Sequence, residues 1–299
     1  MTLVRVTQNM LGKQSYAGLQ VSMNRLATSQ EQLTTGRLIN RPSDNPTGAT
    51  TAMRIRADLA DKQQHLRNAS DAQGWLDQID TTLGTMTDQV RRARELAMSA
   101  NSGIMSPESR EALAVEVDQI RQGLIAGANT TYLDRPVFGG VTAGTTAYDG
   151  AGAFVGQSSP TGVVRTVAEG AKVRVDVEGP AVFGDDTAAD SMFDHLAALS
   201  TALRTANQAG IDAAATALDV DFKRIVNVRA DVGARANRVE NARTVAADGE
   251  LTLRNGLSEV ENVDLAKATV DLKLQEVAYQ AALGATARVV RPSLLDFLR

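Results

Sequence analysis

Apolar residues recur along this chain at alternating steps of three and four. Tyr16, Leu19, Met23, Leu26, Gln30 and Leu33 form the first series, a seven-residue repeat that predicts an amphipathic helix carrying a coiled-coil seam. Gly36 ends it, because glycine readily takes the left-handed conformation that closes a helix. The segment RLINRPSDNPTG (37–48) then interrupts the pattern. Within it Asp44 or Asn45 can cap a second helix, with Pro46 at the first position, where a missing N–H costs nothing. Ala72, Leu76, Ile79, Leu83, Met86, Val90, Ala93 and Ala97 carry the cleanest repeat and predict one helix over about 46–101, roughly 80 Å long at 1.5 Å per residue. Ser106-Pro107-Glu108 restarts a third helix, whose seam is Leu113, Val117, Ile120 and Leu124.

After Asn129 the pattern changes. Residues 137–187 are dense in glycine and contain alternating runs in which Val173, Val175 and Val177 share one face of a strand, as expected of a small β module. Helix resumes near Asp190 with Leu196, Leu199 and Leu203 on one stripe, is expected to falter at Gly210, and then runs from about 212 towards 290. Leu218, Phe222, Ile225, Val232, Ala236 and Val239 mark its first part, and Val263, Val270, Leu274, Val277 and Ala281 its second. Gly256 and Ser258 read as the joint between them, since Ser258-x-x-Glu261 has the spacing of a capping box. A bundle can bury such seams only if the late helices return alongside the early ones. The predicted fold is therefore mainly α, a long antiparallel helical bundle or coiled coil formed by the N- and C-terminal regions, with a small inserted β domain. The expected division is a terminal coiled-coil core (1–42 with 258–299), a helical bundle (43–136 with 188–257) and the β insert (137–187).

Composition narrows the function classes. Only 4% of the 299 residues are aromatic and Trp75 is the single tryptophan, which suits helices packed through small side chains. There is no cysteine, and the net charge of -4 is spread over 31 basic and 35 acidic residues without a polybasic face. Thiol chemistry is excluded, and nucleic acid is not an expected partner. The start lacks a basic region followed by a long apolar run, and no stretch approaches the length of a membrane span. Neither a cleaved secretory signal nor a membrane partner is expected.

No reactive constellation emerges. His65 and His195 each stand alone without a second ligand at helical spacing, so packed or solvated histidines are expected rather than a metal site. Gly150-Ala151-Gly152 lacks the third glycine of a dinucleotide loop, Asp185-Asp186 reads as a turn, and Arg91-Arg92-x-Arg94 reads as a solvated face. No serine stands in a nucleophile elbow. The reading is not an enzyme, with no cofactor, no metal and no small-molecule substrate. The two terminal seams differ from the inner ones. Each lies on a helix beyond a break and buries too little alone to offset its ordering entropy, so each needs the other and a neighbouring subunit.

Two stretches carry a family resemblance. LTTGRLINRPSDNPTGATTAMRIR (33–56) resembles the region of bacterial flagellins and hook-associated proteins where the first terminal helix passes through a link into the next domain. VENVDLAKATVDLKLQEVAYQAALGATARVVRPSLLDFLR (260–299) resembles the C-terminal core helix of the same superfamily. The likeness covers roughly the first 130 and the last 85 residues. ANTTYLDRPVFGG (128–140) and VRVDVEGPAVFG (173–184) are more similar to the branch that joins hook to filament. The chain departs from that branch where Asp134-Arg135-Pro136-Val137 separates Leu133 from Phe138.

The resemblance implies a structural component of the bacterial flagellum, assembling as a ring between hook and filament, with a flagellin forming the filament itself as the alternative. It further implies export through the flagellar type III apparatus to the cell exterior, and terminal helices that pack in the innermost layer of a tube. The implied partners are other flagellar axial proteins (the first hook-associated protein and flagellin), sibling copies of this chain, and an export chaperone. The assembly interface would then be Tyr16, Leu19, Met23, Leu26 and Leu33 from the first helix and Val263, Val270, Leu274, Val277 and Ala281 from the last. Leu294, Leu295, Phe297 and Leu298 of the closing tail complete it.

Overall fold

The computed structural model describes residues 8–101, 105–185 and 190–290. Seven helices and four short strands follow in the order α1 (Gln8–Thr35), α2 (Pro46–Asn101), α3 (Pro107–Ala128), β1 (Thr131–Tyr132), β2 (Arg135–Pro136), β3 (Val164–Ala168), β4 (Ala171–Arg174), α4 (Gly179–Phe183), α5 (Met192–Arg204), α6 (Gln208–Glu261) and α7 (Leu265–Val290). The strands make two separate antiparallel pairs, β1 with β2 and β3 with β4. The fold is mainly α, as the hydrophobic periodicity predicts. The chain divides into two compact units, residues 1–61 with 250–299 and residues 62–249.

Local chemistry sets the helix ends. Asn45 Oδ1 accepts from the Gly48 N–H at 2.9 Å, with Pro46 as the first helical residue of α2, so the expected cap forms. Asp44 closes the preceding turn instead, accepting from the N–H groups of Asn40 (3.1 Å) and Arg41 (2.8 Å). Ser106 caps α3 by accepting from the Ser109 N–H, and Ser191 caps α5 by accepting from the Asp194 N–H. Two expected breaks lie elsewhere. The chain turns before Gly210, not at it, because Ala206 takes a positive φ of 53° and Asn207 caps α6 through the Gly210 N–H. Helix α6 runs through Gly256 and Ser258, and the joint comes at 262–264, where Asp264 Oδ1 accepts from the N–H groups of Ala266 and Lys267. A carboxylate at the cap position outweighs a capping-box spacing inside a helix that already has its ladder.

The unit 62–249 holds the larger core. Ala72, Leu76, Ile79, Leu83, Met86, Val90, Ala93 and Ala97 of α2 are all buried, together with Val117 and Leu124 of α3, Leu196, Leu199 and Leu203 of α5, and Leu218, Ile225, Val232 and Val239 of α6. Arg94 crosses from α2 to α6, pairing with Asp219 and lying 4.9 Å over the Phe222 ring. Arg91 pairs with Asp88 along the helix, and Arg92 reaches Glu116 on α3 at 2.8 Å.

The segment 137–187 lies inside this same unit. Val137, Phe138, Tyr148, Val173, Val175, Val177 and Phe183 belong to one continuous core with the helices. Only Val173 of the three alternating valines lies within β4. Its polar links are equally direct. Asn129 at the end of α3 accepts from the N–H groups of Ala147 (2.7 Å) and Tyr148 (2.8 Å). Arg121 donates to the Ala151 carbonyl, Asn68 to the Thr166 carbonyl and Arg235 to the Asp176 carbonyl.

His195, read as an isolated histidine, sits in a charged cluster. Its Nδ1 lies 2.7 Å from Oδ2 of the fully buried Asp221, whose Oδ1 accepts from Arg224 at 2.9 Å, while Nε2 lies 3.5 Å from Asp190. The Asp221 hydrogen bond raises the His195 pKa above the ordinary 6.5, against the opposing effect of burial and with help from the charges of Asp221 and Asp190. A raised folded-state pKa contributes stability that is complete below the ordinary value and lost as pH rises through the folded-state value. The melting temperature of this unit is expected to fall as pH rises from about 6.5. His195→Gln should flatten that dependence in thermal melts followed across pH, and an unchanged slope would remove His195 as its source.

Candidate assembly face

Unit 1–61 with 250–299 is built around two helical pairings. Ala49 and Ala52 in the first turns of α2 are buried, and Arg56 of α2 pairs with the nearly buried Glu261 at the end of α6 at 2.6 Å. Beside them, α1 and α7 pack against each other. Their join is tied by backbone hydrogen bonds: Leu38 N–H donates to the Glu261 carbonyl at 2.6 Å, Val263 N–H donates to the Gly36 carbonyl at 3.0 Å, and Arg37 bridges Asn262 in antiparallel sense. The end of α1 therefore meets the start of α7, which makes the pair antiparallel. Gly36 adopts φ 71°, the left-handed conformation its position after α1 requires.

The seam of this pair is legible from burial. On α1 the partly buried positions that follow the repeat are Ser15, Leu19, Ser22, Leu26, Ser29 and Leu33. On α7 the matching positions are Ala268, Leu272, Gln275, Tyr279, Ala282 and Thr286, with Ala268 the most buried. Both series step by four and three, the coiled-coil repeat. Small and polar residues occupy many of these positions, so the pair buries little apolar area and owes limited stability to its own seam.

Leu19, Leu26 and Leu33 lie on this seam, and Val263 is half-buried at the join. The other expected interface residues face outward. Tyr16 is 61% and Met23 59% exposed, beside the α1 seam. Val270, Leu274 and Val277 are 59%, 62% and 63% exposed, and Ala281 is exposed with them. At 100° per residue, the stripe 270/274/277/281 lies roughly 150° from the seam of the same helix. Helix α7 thus carries two heptad stripes, a mixed one against α1 and a more apolar one open to solvent. The second stripe dominates the sequence pattern because it is the more hydrophobic, while Leu272, Tyr279 and Ala282 recur at the same spacing on the face that packs. Leu294, Leu295, Phe297 and Leu298 lie outside the described residues.

A heptad stripe of exposed Val and Leu on one helix is an unpartnered coiled-coil surface, and its chemistry is packing rather than catalysis. Among the described residues no group of three or more His, Asp or Glu side chains could hold a metal ion, and no helix is long and apolar enough to cross a membrane.

Comparison with known proteins places these helices in context. Residues 6–141 match the family described as the bacterial flagellin N-terminal helical region, and residues 210–298 match the bacterial flagellin C-terminal helical region. Flagellar hook-associated protein 3 of Escherichia coli (strain K12) is 25% identical, covering 93% of this chain and 95% of its own. Flagellin FlaB2 of Treponema pallidum (strain Nichols) is 27% identical, covering 90% of this chain and 91% of its own. The crystal structure of the flagellar junction protein FlgL from Legionella pneumophila superposes with a TM-score of 0.58 at 16% identity, covering 71% of this chain and 99% of its own. At that identity the superposition concerns the fold.

Proposed function

The chain belongs to the bacterial flagellin family, and from that premise we propose that it is a structural, non-enzymatic subunit of the flagellum that assembles into a ring joining hook to filament. The observation that carries the reading is the solvent-facing stripe Val270, Leu274 and Val277 on a helix whose other face is already occupied by α1. An apolar heptad stripe with no partner among the described residues is satisfied by another helix of an adjacent subunit. Leu19, Leu26 and Leu33 hold the pair together, Tyr16 and Met23 flank the α1 seam, and Val270, Leu274, Val277 and Ala281 meet the neighbour. Leu294, Leu295, Phe297 and Leu298 of the closing tail are assigned to the same interface from the sequence alone.

On this reading the terminal residues 1–42 with 258–299 form the tube-lining part of the subunit. The partners are sibling copies, the first hook-associated protein on one side and flagellin on the other. An export chaperone covers the apolar C-terminal region before passage through the type III apparatus to the outside of the cell. Hook-associated protein 3 of Escherichia coli covers this chain almost end to end, which favours the junction over the filament. The comparable identity of a Treponema flagellin keeps the filament as the second reading. Negative-stain microscopy of purified full chain separates them: short, self-limited rings support a junction protein, and long filaments grown by this chain alone would replace it with a flagellin.

A further inference from the structure

The hairpin between α3 and the rest of unit 62–249 breaks the rules of its own turn. Thr131 pairs with Pro136 and Tyr132 with Arg135, leaving Leu133 and Asp134 as a two-residue loop. Both have positive φ, 49° and 61°, the pattern of a type I′ turn, for which Asn-Gly is the favoured pair. A leucine there is strained, and such strain persists only where the surroundings enforce it. They do here. The Tyr132 ring packs edge-on to Trp75 at 5.6 Å, Arg135 lies 5.8 Å from the centre of the Trp75 ring, and Val137 and Phe138 are fully buried. A Cβ on Gly74 would come within 2.4 Å of the Tyr132 hydroxyl, so the ring lies directly over the α2 backbone at a glycine. The rigid mount presents Leu133 to solvent, 71% exposed, with the exposed carboxylate of Asp134 beside it.

The same unit carries a surface of matching chemistry. On α6, Val220 (53% exposed) and Val226 (41% exposed) flank the exposed Lys223 at steps of three, so the three side chains are surface neighbours. Tip and patch pair apolar with apolar and carboxylate with ammonium. In its own chain Leu133 stands in solvent, so the complement is available only to another copy.

We propose that the Leu133–Asp134 tip of one copy docks on the Val220–Lys223–Val226 patch of the next. Two different patches meeting head to tail generate a closed ring or a helical array, and the contact rests on the self-association proposed above. It accounts for a strained, exposed leucine where asparagine would fit the turn better. The Asp134-Arg135-Pro136-Val137 stretch that departs from the family pattern builds this hairpin.

The absence of cysteine makes the test direct. Full chain carrying both Leu133→Cys and Val226→Cys, bridged by a short bismaleimide at concentrations where wild type self-associates, should give a ladder of covalent multimers, and either single variant should give none beyond dimer. Leu133→Asn should raise the melting temperature by roughly 2–4 °C, since asparagine tolerates the left-handed region. It should also weaken self-association by roughly ten- to a hundredfold, the loss of one buried leucine side chain. Lys223→Glu should weaken association without changing the melt. A missing ladder, or Leu133→Asn assembling as wild type does, overturns the contact while the assembly reading stands. Wild type that never self-associates overturns that reading and the contact with it.

Discussion

Leu274→Asp is expected to abolish assembly while leaving the isolated chain folded. In the single chain this side chain is 62% exposed, on the face of α7 turned away from α1, so the carboxylate stays hydrated and the melt should move by no more than an ordinary surface substitution, within about 0.5 kcal/mol. If the stripe meets a neighbouring subunit as proposed, the same position lies between helices on assembly, where an unpaired carboxylate costs several kcal/mol. Each contact should weaken at least a hundredfold, and a closed ring repeats the penalty at every copy. Sedimentation of the purified variant should show monomer where wild type associates, and cells expressing it should carry hooks without filaments. Leu272→Asp is the informative contrast. Leu272 is half-buried on the α1 seam, so its substitution should reduce helix content in the monomer itself. Normal filaments on Leu274→Asp cells would show that the exposed stripe is not an assembly surface.

The second large effect concerns the segment 137–187. Phe183→Ala should destabilise the whole unit 62–249, not a separable β module. Phe183 is fully buried and meets Phe138 at 5.2 Å, Tyr148 at 5.5 Å and Phe193 of α5 at 5.5 Å. Removing a buried phenylalanine leaves a cavity worth about 3–5 kcal/mol, which for a unit of this size lowers the melting temperature by roughly 10 °C. Because Phe193 anchors a helix and Phe138 and Phe183 anchor the insert, far-ultraviolet helix signal and near-ultraviolet aromatic signal should be lost in one transition. Two separate transitions, with the helices melting at the wild-type temperature, would show the insert to be an independent domain.

Much of this molecule is written in short-range pattern. The α2 repeat from Ala72 to Ala97 specifies both a helix and the face it buries, because a seven-residue period leaves one stripe able to leave water. Asn45 before Pro46, Ser106 before Pro107 and Gly36 after Thr35 specify ends, because each satisfies or terminates the ladder by local geometry. The family likeness is legible for the same reason, since it resides in the two ends where pattern and punctuation are densest.

Other features depended on what the chain meets in space. Gly256 and Ser258 looked like a joint, yet α6 continues through them and the real joint uses Asp264, a choice between two local caps that the antiparallel bridge of Arg37 to Asn262 helps fix. His195 looked solitary because Asp221 is 26 residues away in sequence and 2.7 Å away in the fold. The segment 137–187 reads as a separate strand-rich piece, but its aromatic rings close against a helix beyond it.

What the sequence determined by itself is the long helices, the ends marked by Gly36, Asn45 and Ser106, and the presence of heptad stripes at both ends, because these arise from contacts within a few residues. Only the tertiary structure decided which of the two stripes on α7 meets α1. Helix periodicity defines faces but not their partners. The more apolar stripe, Val270, Leu274 and Val277, is left to solvent, and the mixed stripe with Ala268 and Leu272 takes the intrachain seam. The same is true of the strain at Leu133. A Leu-Asp pair carries no turn signal of its own, and its left-handed backbone is imposed by the rings of Tyr132 and Trp75 and the buried Phe138, which hold the hairpin from below.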